Sequence, residues 1–331
     1  MSGVLTAFCI VAIAACSTSS PSDSTAGVSP IVATVVVDGL DRPTQFVDGP
    51  DGTLVVAQLA GDEGAADGQV IVVDPETGSS RVLLDRLDKP TGVLWADGVL
   101  WVMVRRGLVR AAWAGGSADV GPVATVLADL PFNGRSEGTL TALGDGRFLY
   151  ETSGTLDGGV PAEGSGALWI FDPIDGSSTA LATGLKNAYA HATLSDGRIV
   201  TTDVGDAADP PVDELNVIDA EPVAGTAADL GWPDCAGDAD CPGVVRPLAT
   251  FASSSTPTGV AVVGDDVYVT LFVTGELLRI ALDGWQPGDE PVTPAPIIDD
   301  LNGPHTVLAR PDGSLWISEH LSGRIVSIMP G

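Results

Sequence analysis

The sequence predicts an all-β protein, a six-bladed β-propeller of four-stranded blades closed by pairing of an N-terminal strand with the last blade. Three observations carry this. A turn of Asp-Gly or Asp-Asp type leading into a β-rich run recurs six times. A related lead-in phrase precedes every turn, and the strand missing from the last repeat is found near the start of the chain.

The six turns open PDGTLVVA at Asp51, ADGVLWVM at Asp97, GDGRFLYE at Asp145, SDGRIVTT at Asp196, GDDVYVTL at Asp265 and PDGSLWIS at Asp312. Their spacings are 46, 48, 51, 69 and 47 residues. Asp-Gly between apolar runs signals a hairpin, because glycine takes positive φ without steric cost. The lead-ins are RPTQFV, KPTGVL, RSEGTL, KNAYAHATL, TPTGVAV and GPHTVLA. Each turn is followed by a second hairpin strand, such as GQVIVVD or DELNVID, and five units add a fourth, such as RVLLDRL. The sixth fourth strand is supplied by IVATVVVDGL, residues 31–40. Such closure leaves only short sheet edges.

Residues 1–15 read as a lipoprotein signal peptide. VLTAFCIVAIAA is too short to span a bilayer, and Ile13-Ala14-Ala15-Cys16 resembles a lipobox with Cys16 as the lipidated residue. Residues 16–30 are a Ser/Thr/Pro tether, and residues 31–331 form the propeller. The expected location is extracytoplasmic, with the lipid as the only membrane contact. In an exported chain, Cys235 and Cys241 in CAGDADC are expected to form a disulfide. With 15 basic against 44 acidic residues, the net charge is −29, which excludes nucleic acid as a partner.

Strands A to D of a propeller blade run outward from the axis. The D-to-A lead-ins and the B-to-C loops therefore share one face, around the channel mouth, and the Asp-Gly turns lie on the other. Lead-ins one, two, five and six are small or bland. The third brings Asn133, Arg135, Ser136 and Glu137, and the fourth brings Lys186, Asn187, Tyr189 and His191. The long fourth unit adds the loop DVGDAADPPVD and then DELNVI, placing Asp213, Glu214 and Asn216 beside the same mouth. Loop elaboration on one rim of a repeat array is where binding resides. Plainer readings stand beside this one. Asp213 and Glu214 are exposed strand-end acids, Asn216 makes a structural hydrogen bond, Arg135 and Glu137 form a rim ion pair, His191 packs in the core, and Glu319-His320 is solvated.

With GLKNAYAHATLSDGRIVTTDVGD, DELNVI and LGWPDC in view, the chain resembles the glucose/sorbosone dehydrogenase family over roughly residues 36–329. The resemblance implies an exported six-bladed propeller that oxidises sugars with pyrroloquinoline quinone (PQQ) and calcium. It makes Lys186 and Asn187 cofactor- and substrate-facing, the carbonyls of Gly205 and Asp206 ligands of the cofactor-side calcium, and Glu214 with the backbone near Leu230 ligands of a second, structural calcium. Hard oxygen donors suit that ion. The chain departs from the family at the base. Arg135 holds the histidine position, and an arginine cannot accept a proton. Tyr189 stands where a glutamine is expected, Val273 falls where a lysine is expected, and Gly303 and His305 where arginines are. Glu137, His191 and His305 are the replacement candidates. Two alternatives follow: a non-catalytic propeller that binds a carbohydrate or envelope partner, and a gluconolactonase-like lactonase with Glu137, Asn187 and Asp203 around a divalent ion.

Overall fold

Each repeat folds into an antiparallel sheet whose strands appear in space in the order they appear in the chain. The computed structural model describes residues 31–331 apart from 63, 136, 206–211, 238 and 240. Cys16 and Asp206 lie outside the described residues, as does Ser136.

Blade one comprises Pro43–Asp48, Leu54–Gln58, Gly68–Val73 and Ser80–Leu87, and blade two Gly92–Ala96, Val99–Val104, Gly107–Ala112 and Ala124–Leu127. Blade three comprises Thr141–Ala142, Phe148–Thr152, Ala167–Phe171 and Ser178–Thr183, and blade four Ala188–Thr193, Ile199–Asp203, Asp213–Ile218 and Ala249–Phe251. Blade five is built from Pro257–Val263, Asp266–Leu271, Glu276–Ala281 and Ala295–Ile298. Blade six takes Pro304–Ala309, Leu315–Glu319 and Arg324–Ile328 from the C-terminus and Thr34–Val37 from the N-terminal end, paired Val35 to Val326. The expected closure is present.

The strands are apolar at both parities because each blade is covered on both faces by its neighbours. In Leu54–Gln58, Leu54 and Val56 join a cluster with Val37 and Ile325 of blade six, whereas Val55 and Ala57 join Val93, Leu100 and Val102 of blade two. Every pair of adjacent blades has such a cluster. Between blades two and three it is aromatic, with Trp101, Phe148 and Phe171 centroids 5.0–5.7 Å apart. Full burial of one such side chain is worth about 1.5–3 kcal/mol.

The inner strands are also tied directly to one another. In two of the three Pro-Thr lead-ins the threonine gives its hydroxyl hydrogen to the proline carbonyl of the next blade: Thr44 to Pro90 at 3.0 Å and Thr258 to Pro304 at 2.9 Å. Gln45 reaches across the axis, accepting from the N–H of Val93 (2.7 Å) and of Leu140 (2.9 Å) and donating to the Leu140 carbonyl (2.7 Å). Gly138 is required by this crowding, since a Cβ there would meet the Tyr189 carbonyl at 2.3 Å.

Two segments break the four-strand pattern, both at blade three. Leu156–Asp157 pairs with Val160–Pro161 as a small hairpin after strand B. Ala228–Asp229, from the long C-to-D connection of blade four, adds a fifth strand parallel to Ser178–Thr183. The fourth repeat's extra length thus climbs back along blade three to the rim that carries the channel mouth. There Cys235 and Cys241 form the expected disulfide.

Candidate functional site

The channel mouth is a cavity of about 280 Å³ to which all six blades contribute. Its polar wall is made by Lys89, Arg135, Asn187, Tyr189, His305 and His320, with Phe272 as its main apolar surface. The Tyr189 hydroxyl lies 2.8 Å from Nε2 of His305, and the two rings meet edge to face at 5.0 Å. His320 stacks on His305 at 5.6 Å and has its Nδ1 3.1 Å from the Pro43 carbonyl. Phe272 stands edge-on to both imidazoles. Burial, then the neighbouring His320 and Lys89, hold the His305 imidazole well below the usual histidine range, so it is neutral at pH 7. Its buried Nδ1 has no hydrogen-bond partner.

Sequence reasoning passed over Lys89 and took His320, on this same rim, as solvated. Lys89 sits in the KPTGVL lead-in, which reads as bland, and is buried in the cavity wall. Glu319 and His320 are expected in solvent, yet they are 2% and 7% exposed. Glu319 is buried because it binds Arg324 at 2.6 Å and accepts the N–H of Asn302 at 2.8 Å. A single sequence does not distinguish such an acid from a solvated one.

The remaining expected residues separate into distinct places. Arg135 lines the cavity, its backbone fixed by the Asn133 side chain at 3.0 Å. Glu137 is not at the surface beside it. It is fully buried, with Oε2 accepting from the Ser153 hydroxyl at 3.0 Å and Oε1 without a partner. Desolvation raises Glu137 to about 8 against the weaker pull of Ser153, Arg106 and Lys89, and burial together with the Glu137 charge raises Glu151 well above the carboxylate range. Lys186, expected to face the ligand beside Asn187, places its Nζ 4.8 Å over the Trp232 ring and 3.5 Å from the Gly154 carbonyl. The lysine in the cavity wall is Lys89. Asp203 receives the backbone N–H of Lys186 at 2.9 Å and of Asn187 at 2.6 Å, so it sets the turn that presents Asn187. His191 packs as expected, with Nδ1 2.7 Å from the Thr141 hydroxyl.

Asp213 and Glu214 are buried, not exposed strand ends. Asp213 accepts from the N–H of Gly205 (3.1 Å) and of Thr256 (2.6 Å). Glu214 accepts from the Gly237 N–H and from Asn216 Nδ2, the latter at 3.1 Å, so Asn216 makes the structural bond expected of it. Glu214 and Leu230 wall one cavity of about 380 Å³ beneath the disulfide loop. Its oxygen donors suit a hard cation, but both Glu214 oxygens already hold N–H donors that calcium would have to displace. Among the described residues no group of three His, Cys, Asp or Glu side chains is placed to hold a metal.

No protein-family model and no curated protein matches the sequence. Solved structures do match. The PQQ-bound aldose sugar dehydrogenase of Streptomyces coelicolor superposes with a TM-score of 0.74 at 18% identity, covering 90% of this chain and 97% of that one. The fold is that of the soluble sugar dehydrogenases. The apo-form soluble aldose sugar dehydrogenase of Escherichia coli gives 0.70 at 16% identity, covering 91% of this chain and 100% of its own. The calcium structure of the Trichoderma reesei family AA12 carbohydrate-active enzyme gives 0.73 at 16% identity, covering 91% and 97%. On this propeller the polar cavity occupies the axial mouth.

Proposed function

We propose that the channel mouth takes a small anionic cofactor and that the chain is a divergent PQQ-dependent dehydrogenase acting on a sugar CH–OH. The observation that supports this most is the convergence of Lys89 and Arg135 with Asn187, Tyr189, His305 and His320 on one axial cavity. A protein of net charge −29 repels anions except where cations are gathered. Two cations beside a carboxamide suit a polycarboxylate quinone, with Arg135 able to bind one carboxylate through two N–H groups. The bound quinone supplies the two-electron acceptor. Lys89 and Arg135 would hold its carboxylates, Asn187 would orient it, and the His305 imidazole, held by its hydrogen bond to Tyr189, would stand in for the histidine base that Arg135 replaces. The Gly205 carbonyl, one residue after the cavity-lining Val204, is the place left for a calcium, since both Glu214 oxygens already hold N–H donors.

Titration of the purified protein with PQQ and calcium, followed by quinone absorption and then by dye-linked oxidation of an aldose panel, tests the reading. Saturable quinone binding with sugar-dependent dye reduction is expected, and no quinone binding overturns it. A non-catalytic carbohydrate-binding propeller is the second reading, favoured by Arg135 at the base position. Sugar binding without quinone binding would select it. The lipobox at Cys16 supports an exported, lipid-anchored protein, and metabolic labelling with a fatty acid that is lost in Cys16→Ser tests that.

A further inference from the structure

A second cavity, of about 550 Å³, lies outside the channel on the same rim, between the 156–161 hairpin and the disulfide loop. Both segments that depart from the four-strand repeat therefore converge on it. Its walls include Trp169, Trp232, Ser165, Asp229, Asp234 and Pro161, and among the described residues no lysine or arginine lines it. Trp169 is fixed by stacking on Tyr150 at 6.3 Å and by its indole N–H bond to the Thr152 hydroxyl at 3.1 Å. Trp232 is held by the Lys186 ammonium, and Lys186 is not part of the cavity wall.

We infer that this groove is a binding subsite for the neutral pyranose rings of an oligosaccharide whose end reaches the channel mouth. Indole surfaces fixed in a groove offer apolar area to the C–H faces of a pyranose, and the carboxylates beside them accept hydrogen bonds from its hydroxyls. With acids and no cations in the wall, an anionic ligand is disfavoured. The volume lies within the range of about 300–1,000 Å³ typical of ligand sites. The groove and the mouth are adjacent: Lys186 touches Trp232, and its neighbour Asn187 lines the axial cavity. Asn133 spans the same step, giving its amide hydrogens to the Lys186 carbonyl at 3.3 Å and to Asn187 Oδ1 at 3.2 Å. The inference rests on the sugar reading of this rim and extends it from a single sugar to a chain of sugars.

The test is tryptophan-fluorescence titration of the full chain, without quinone, against glucose, maltose, maltotriose, maltohexaose and the matching cello-oligosaccharides. A trisaccharide or longer member of one series is expected to bind at least about tenfold more tightly than glucose. Trp232→Ala and the groove-filling Ala162→Trp should each abolish that preference with the thermal midpoint held within a few degrees and PQQ affinity unchanged. Affinity independent of chain length, no binding of either series, or a preference that survives both folded variants overturns the inference. Oligosaccharide binding in a protein that takes up no quinone upholds this subsite while removing the proposed oxidation.

Discussion

Tyr189 of blade four and His305 of blade six, 116 residues apart, meet at 2.8 Å across the propeller axis. The contact joins two inner strands that are not neighbours in the ring and holds an uncharged imidazole within a cationic wall. Burial likewise keeps His191 neutral, lowering it to about 3. His191 should therefore stay neutral from pH 8 down to pH 5 and His305 should be neutral at pH 7, and NMR of ring-labelled histidine should detect no protonation of either ring at pH 7. In Tyr189→Phe the His305 ring resonances should shift while those of His191 stay in place.

The cations of the mouth can be tested separately. Arg135→Ala and Lys89→Ala should each weaken PQQ binding by about ten- to a hundredfold, the range for loss of a charge-assisted hydrogen bond. Lys186→Ala should have a smaller effect, because its ammonium lies on Trp232. Quinone absorption titrations of the three variants make the comparison.

Glu137 predicts loss of stability in alkali. Its folded value of about 8 lies above the ordinary 4.5, so the unfolded chain binds fewer protons than the folded one between those limits. Its contribution is complete below about pH 4.5 and is lost as pH rises through 8. Glu151 is raised in the same direction, and Arg106 and Lys89 oppose the rise at Glu137. Denaturant melts at pH 5, 7 and 9 should therefore fall with pH more steeply in the wild type than in Glu137→Gln. The difference should be on the order of a few kcal/mol. A variant that declines in parallel with the wild type would show that Glu137 is not the cause.

Stability should follow the blade interfaces more than the surface charges. Leu100→Ala, at a position with no exposure between blades one and two, should cost about 2–5 kcal/mol. Removing the exposed Arg246–Glu290 pair should cost under about 1 kcal/mol despite its 2.8 Å geometry, because solvent screens it. Urea unfolding of the two variants decides the ranking.

Gly138→Ala should destabilise even though only one methyl is added. The new carbon would sit 2.3 Å from the Tyr189 carbonyl and 2.8 Å from Glu151 Oε1, and the backbone at the axis has little room to move. A loss of roughly 1–3 kcal/mol in the same unfolding assay is expected.

The sequence by itself determined the six blades, their strand order, a closing strand within residues 31–40, found at Thr34–Val37, and the rim on which polarity gathers. These are local or periodic signals: an Asp-Gly turn, a Pro-Thr lead-in and a run of β-branched residues each act over a few positions and repeat. The disulfide was also legible, because Cys235 and Cys241 are the only two cysteines beyond residue 16 and lie six residues apart. Tertiary structure alone decided which polar side chains face one another. Lys89 and His320 reach the mouth, Lys186 lies on Trp232, and Glu137 turns inward to Ser153. Those outcomes depend on contacts between loops and strand ends, within a repeat and between repeats, where strand period gives the face of a sheet but not what is placed against it. The parallel strand Ala228–Asp229 is of the same kind, since its partner on blade three leaves no mark in its own two residues.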